Sequence, residues 1–125
     1  MARDAVTTDK IAAPVGPFSP AVRAGEFVYL SGQVAQDPAT GRLIDGDVAA
    51  QTEQIFSNLE AVLEAVGKTL ADVIRVGVFL TDMRDYPAMN EVYGRRFAAP
   101  YPARTAVAVA ALPLGAAVEL DIVAR

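Results

Sequence analysis

The chain has 125 residues, 53% of them hydrophobic, and a formal net charge of −4. That length suits a single domain over residues 1–125, with a packed core and an apolar excess that hints at oligomerisation. Cysteine and histidine are both absent, which removes disulfides, thiolate nucleophiles, imidazole or thiolate metal ligands and any serine–histidine triad.

The acidic balance argues against a nucleic-acid partner, which wants a basic face. The adjacent pair Arg95-Arg96 reads as a solvated helix face. No uninterrupted apolar run is long enough for a membrane span. The opening "MARDAVTTDK" carries charges and no apolar stretch, so no export signal and a cytoplasmic home are expected.

In chain order, "FVYLSGQVA" is aromatic and β-branched at its start and reads as a strand, with "RAGE" before it as a turn. Residues 20–35 are therefore expected to form a hairpin. "DPATGRLIDGD" is turn chemistry. A helix is predicted over 48–66: Ile55, Leu59, Val62, Leu63 and Val66 recur at helical spacing. Asp47 is its expected N-cap and Gly67 its C′ residue. Gln51, Glu53, Ser57, Glu60 and Glu64 are expected on its wet face. After a short turn at 69–72 comes a strand over 73–81. A second helix is predicted over 85–97, with Asp85 near its cap and Pro87 in its first turn. Strands over 103–112 and 117–125 close the chain.

The pattern is β-α-β-α-β-β with an N-terminal hairpin: an α+β fold with two helices on one sheet. The other sheet face is left uncovered, and exposed faces are expected to meet in an oligomer. In the strand over 103–112, Thr105, Val107, Val109 and Ala111 point one way, and Arg104, Ala106, Ala108 and Ala110 the other. The branched face is expected against the helices and the alanine face against another subunit.

Arg104 stands at the mouth of that strand, in "YPARTAVAVA". It is either a strand-end charge in an exposed ion pair, worth about 0–1 kcal/mol, or a planar fork for a carboxylate. Glu119 shares a strand face with Asp121 in "VELDIV", which is also how an ordinary wet face looks. Ser31-Gly32-Gln33 ends an apolar strand, where glycine marks a bulge or a close backbone approach. Asn90 and Tyr93 can share a helix face. No glycine-rich phosphate loop and no metal constellation is visible.

The segments "VGPFSPAV", "YLSGQVAQDPATGRL", "DVAAQTEQIFSNLEAVLEAVG", "VFLTDMRDYPAMNEVYGRRF", "YPARTAV" and "LPLGAAVEL" occur in order. Together they resemble the reactive intermediate deaminase family (RidA, also called YjgF) over nearly the whole chain after Lys10. The resemblance implies a homotrimer of chorismate-mutase-like subunits, with a mixed sheet and sites in the clefts between subunits. It implies hydrolysis of enamines and imines such as 2-aminoacrylate to 2-keto acids and ammonia, without a cofactor or metal. The implied partner is a small-molecule carboxylate substrate. Arg104 matches the family's carboxylate-binding arginine and Glu119 its water-positioning glutamate. Ser31, Gly32 and Asn90 match pocket-lining positions. Two substrate-binding positions depart from its well-studied members: Phe18 stands where they often have tyrosine, and Ala106 where they have cysteine. Thr105 and Leu120 are also slightly off the signature. Ala106 can still serve through its backbone. Phe18 bears on substrate preference and resembles members linked to 3-aminoacrylate.

Arg104 opens one strand and Glu119 lies near the start of the returning one. Antiparallel strands would separate them by about six residues, or ~20 Å, within one chain. Acting together, they would have to come from different subunits. The rival reading from another class is a non-catalytic trimer that binds small carboxylates, as a sensor or chaperone-like partner; a nuclease or translation inhibitor is a third.

Overall fold

A computed structural model of the chain describes residues 2–125. The strands are β1 (Asp4–Val6), β2 (Ala21–Ala24), β3 (Phe27–Gln33), β4 (Val73–Leu80), β5 (Ala103–Ala108) and β6 (Val118–Ala124). The helices are α1 (Val48–Glu64) and α2 (Tyr86–Arg96). The sheet order is β1-β2-β3-β6-β4-β5. Among the described residues, the β4–β5 pair alone is parallel; the others are antiparallel. The sheet is thus mixed, α+β as expected. The short strand β1 is an addition to the expected pattern. Among the described residues, no helix is long and apolar enough to cross a membrane.

Local chemistry accounts for the main elements. The Gly25 backbone has φ +58°, which suits the tight turn from β2 into β3. The Asp47 carboxylate accepts from the Ala50 N–H at 2.9 Å and caps α1. Gly67, at φ +72°, ends it, with Lys68 N–H donating back to the Leu63 carbonyl. The turn at 69–72 is a short 3-10 helix closed by a capping box between Thr69 and Asp72.

The core lies between the helix layer and one sheet face. Ile55, Phe56, Leu59, Val62 and Leu63 of α1 are fully buried against Val76, Val78, Leu80, Val118 and Leu120 of the sheet. Each such side chain contributes about 1.5–3 kcal/mol. Gln51 is a correction: it is buried, not on the wet face. Its Oε1 accepts from the Ala117 N–H at 3.0 Å, so α1 uses it to anchor the entry to β6. Arg96 also departs from the expected solvated pair. Its side chain is largely buried over the Phe56 ring and bonds Glu53 and Glu60, tying α2 to α1. Arg95 does stay at the surface, paired with Glu91.

The faces of β5 are the reverse of the expectation. Helix α2 is the crossover between the parallel strands β4 and β5, and it covers the face that carries Arg104 and Ala106. Ala106 packs against the core, and Arg104 stands beside the fully buried Val76. Thr105 and Val107, the branched face, are exposed. The aromatic side chains of α2 meet this face at Arg104, whose guanidinium lies over the Tyr86 and Tyr93 rings.

Candidate functional site

Two half-sites flank the sheet. The first is built on α2 and the edge strand β5. Tyr86, Asn90 and Tyr93 recur at i, i+4 and i+7, one stripe of the helix. All three converge on Arg104. Its Nη1 donates to Asn90 Oδ1 at 2.6 Å and its Nη2 to Tyr86 Oη at 2.6 Å. Its guanidinium carbon stands 4.6 Å from the centre of the Tyr93 ring, a cation–π contact. Burial pushes the Tyr93 phenol up, and the Arg104 charge opposes the shift. Asn90, Tyr93, Gly94, Tyr101, Pro102 and Arg104 line the open cleft beside this cluster.

Among the described residues, nothing pairs with the outer side of β5, the last strand of the sheet. The Val109 N–H donates to the Leu80 carbonyl at 2.7 Å. Alternation along the strand then turns the backbone groups of Thr105 and Val107 toward β4, and those of Arg104 and Ala106 toward the open edge. Ala106 thus turns its N–H and C=O toward that edge, as Arg104 does.

The second half-site lies on the uncovered face. Residues Leu30 and Gln33 pair with Ile122 and Leu120, so Ser31 and Gly32 together oppose one residue of β6. This is a β-bulge. It places Gly32 against Glu119, and a Cβ built at Gly32 would fall 2.9 Å from the Glu119 carboxyl carbon. Ser31 Oγ donates to the Ser19 carbonyl at 2.7 Å and pins the loop that carries Phe18. Ile11, Val15, Phe18, Gly32, Leu114 and Glu119 help line a cleft of about 200 Å³. Burial in this apolar setting pushes the Glu119 carboxyl above its ordinary value, and the neighbouring Asp121 charge adds to the shift. Among the described residues, no group donates a hydrogen bond to the Glu119 side chain.

The candidate residues therefore fall into two sets. Arg104, Asn90 and Ala106 come together at the β5 edge. Phe18, Ser31, Gly32 and Glu119 come together at the β3 bulge. The separation of the sets differs from the expected ~20 Å along neighbouring antiparallel strands. Strand β4 lies between β5 and β6: Arg104 registers with Val76 and Glu119 with Phe79. The offset is about 10 Å along the strands and about 10 Å across them. The stronger obstacle is that the two side chains leave opposite faces of the sheet. Sequence reasoning missed Tyr86. Its signal was present in the i, i+4, i+7 spacing with Asn90 and Tyr93.

A small α+β fold with one cluster of candidate residues at a sheet edge and another on an uncovered sheet face defines the class. The sequence matches the family described as Endoribonuclease L-PSP over residues 8–125. It is 43% identical over 122 residues to a RutC family protein of Pyrococcus horikoshii, covering 98% of this chain and 97% of that protein. It is 40% identical over 116 residues to the 2-iminobutanoate/2-iminopropanoate deaminase of Dermatophagoides farinae, covering 93% of this chain and 91% of that one. The crystal structure of RidA from an Antarctic Psychrobacter species superposes with a TM-score of 0.94 at 46% identity, covering 98% of this chain and 99% of that one. The chain belongs to this family, that of the RidA and RutC proteins.

Proposed function

We propose that the chain is a single-domain hydrolytic deaminase of reactive enamines and imines of the 2-aminoacrylate type, releasing 2-keto acids and ammonia. It works as a homotrimer, each cleft joining the Arg104 half-site of one subunit to the Glu119 half-site of the next. The observation that carries this reading is that the two half-sites are complementary in chemistry yet leave opposite faces of one sheet. The first offers an anion fork and free backbone groups. The second offers a carboxylate with a raised pKa in an apolar cleft.

The reaction suits a site without histidine, because an imine is already electrophilic. Arg104 clamps the substrate carboxylate and fixes its orientation. Backbone groups at Ala106 and Gly32 hydrogen-bond the imine end, to which an enamine first tautomerises. Glu119 orients a water and takes its proton as the oxygen attacks the C=N carbon. The nitrogen of the resulting carbinolamine is protonated, the C–N bond breaks and ammonia leaves. Each contribution need supply only a few kcal/mol. A nuclease reading, suggested by the family's description, fits poorly with a net charge of −4 and no histidine.

The test is ammonia release from 2-aminoacrylate generated in place by a serine dehydratase. The protein should accelerate the release well above the spontaneous rate. An unchanged rate, with small carboxylates still bound, would favour a non-catalytic carboxylate binder. Comparing imines derived from serine, threonine and bulkier amino acids would set the substrate preference. The apolar lining around Phe18 favours the bulkier side chains, and a preference for 3-aminoacrylate would mark the family variant instead.

A further inference from the structure

A guanidinium carries five N–H groups and no acceptor. Arg104 commits one from each terminal nitrogen, to Asn90 Oδ1 and to Tyr86 Oη, both at 2.6 Å. The Tyr86 ring stands 5.4 Å from the guanidinium carbon, and the Tyr93 ring 4.6 Å from it. The fork is thus gripped at both tips and supported by aromatic rings. Three N–H groups remain, enough for a bidentate bond to a carboxylate. An arginine side chain otherwise samples many rotamers, and holding it in advance reduces what binding must order.

We propose that Tyr86 is a positioning residue of the carboxylate clamp: with Asn90 it holds both terminal nitrogens of Arg104, so that the remaining N–H groups meet a substrate carboxylate as a preset fork. This rests on the reading of Arg104 as the carboxylate-binding group. Tyr86 touches the arginine, not the reacting atoms. Its loss therefore weakens ground state and transition state alike.

Tyr86→Phe keeps the ring and deletes the oxygen, which makes it the informative variant. Binding of pyruvate, the keto acid formed from 2-aminoacrylate, is measured by calorimetry on the parent and on the variant. The dissociation constant should rise about tenfold, with KM rising in step and kcat staying within about twofold. In ¹⁵N-arginine spectra, the terminal N–H signals of Arg104 should be resolved in the parent and averaged in the variant. A pyruvate affinity within about twofold of the parent overturns the proposal, as does a parent that binds no pyruvate. A fall in kcat at unchanged KM overturns it too, because the hydroxyl would then act at the reacting centre. Parent turnover of 2-aminoacrylate is read separately. If the parent is inactive the deaminase reading fails, while the pyruvate affinities still decide the role of Tyr86.

Discussion

Arg104 is held by a carboxamide, a phenol and an aromatic face, and each contact uses a different part of a planar fork. Lysine cannot reproduce that. Its single ammonium cannot bond Asn90 and Tyr86 together and still meet a carboxylate in two places. Arg104→Lys should lower kcat/KM at least about 100-fold, or ~2.7 kcal/mol, and steady-state assays on 2-aminoacrylate would measure it. Near-parental turnover would contradict the bidentate clamp. Glu119 gives a second prediction. Its carboxyl is raised from its ordinary value by burial first and the Asp121 charge second. A base must be ionised to take a proton, so activity should fall with decreasing pH earlier than for an exposed glutamate. Asp121→Asn removes one of the two causes while keeping an oxygen for the Gly77 N–H. The acid limb of the kcat/KM profile should then move to lower pH, and an unmoved limb would show that Asp121 does not reach Glu119.

The β3 bulge matters as an element because it brings backbone to within contact of the Glu119 carboxyl group. Gly32→Ala would set a methyl group against that carboxyl carbon, where the distance is 2.9 Å. The long glutamate side chain can swing aside, so thermal stability should change little. The carboxylate would leave its place, and kcat should fall about tenfold or more. Circular dichroism melts and kinetics on the same sample separate the two effects. Most elements were legible in the sequence because they rest on local signals: the Asp47 cap, the Gly67 stop, the apolar stripe of α1 and the Gly25 turn. Which face of β5 the helix covers was not. Binary patterning pointed Thr105 and Val107 inward, yet the crossover α2 lies over the alanine side. There Tyr86 and Tyr93 of α2 meet Arg104. Gln51 was misplaced for a similar reason: its amide is buried by a bond to Ala117, 66 residues away in the chain. The candidate residues were legible as single positions, but their sorting into two sets depended on β4 intervening between β5 and β6. That order is long-range and leaves no local trace.

At the scale of the whole molecule, the uncovered sheet face and the β5 edge each carry one of the two proposed half-sites. In the proposed assembly a working cleft takes Arg104 from one chain and Glu119 from its neighbour. Arg104→Ala and Glu119→Ala should each be inactive as homo-oligomers. When the two variants are co-refolded in equal amounts and assort randomly, half of the clefts draw an intact arginine and half an intact glutamate. In a cyclic trimer with heterologous contacts, about a quarter of the clefts then regain both groups. Native mass spectrometry first establishes that mixed trimers have formed. Ammonia release from 2-aminoacrylate by that mixture is the decisive measurement. Two inactive components should recover about a quarter of the parental rate if the cleft is shared between chains, whereas mixed trimers that stay at background would show that it is not.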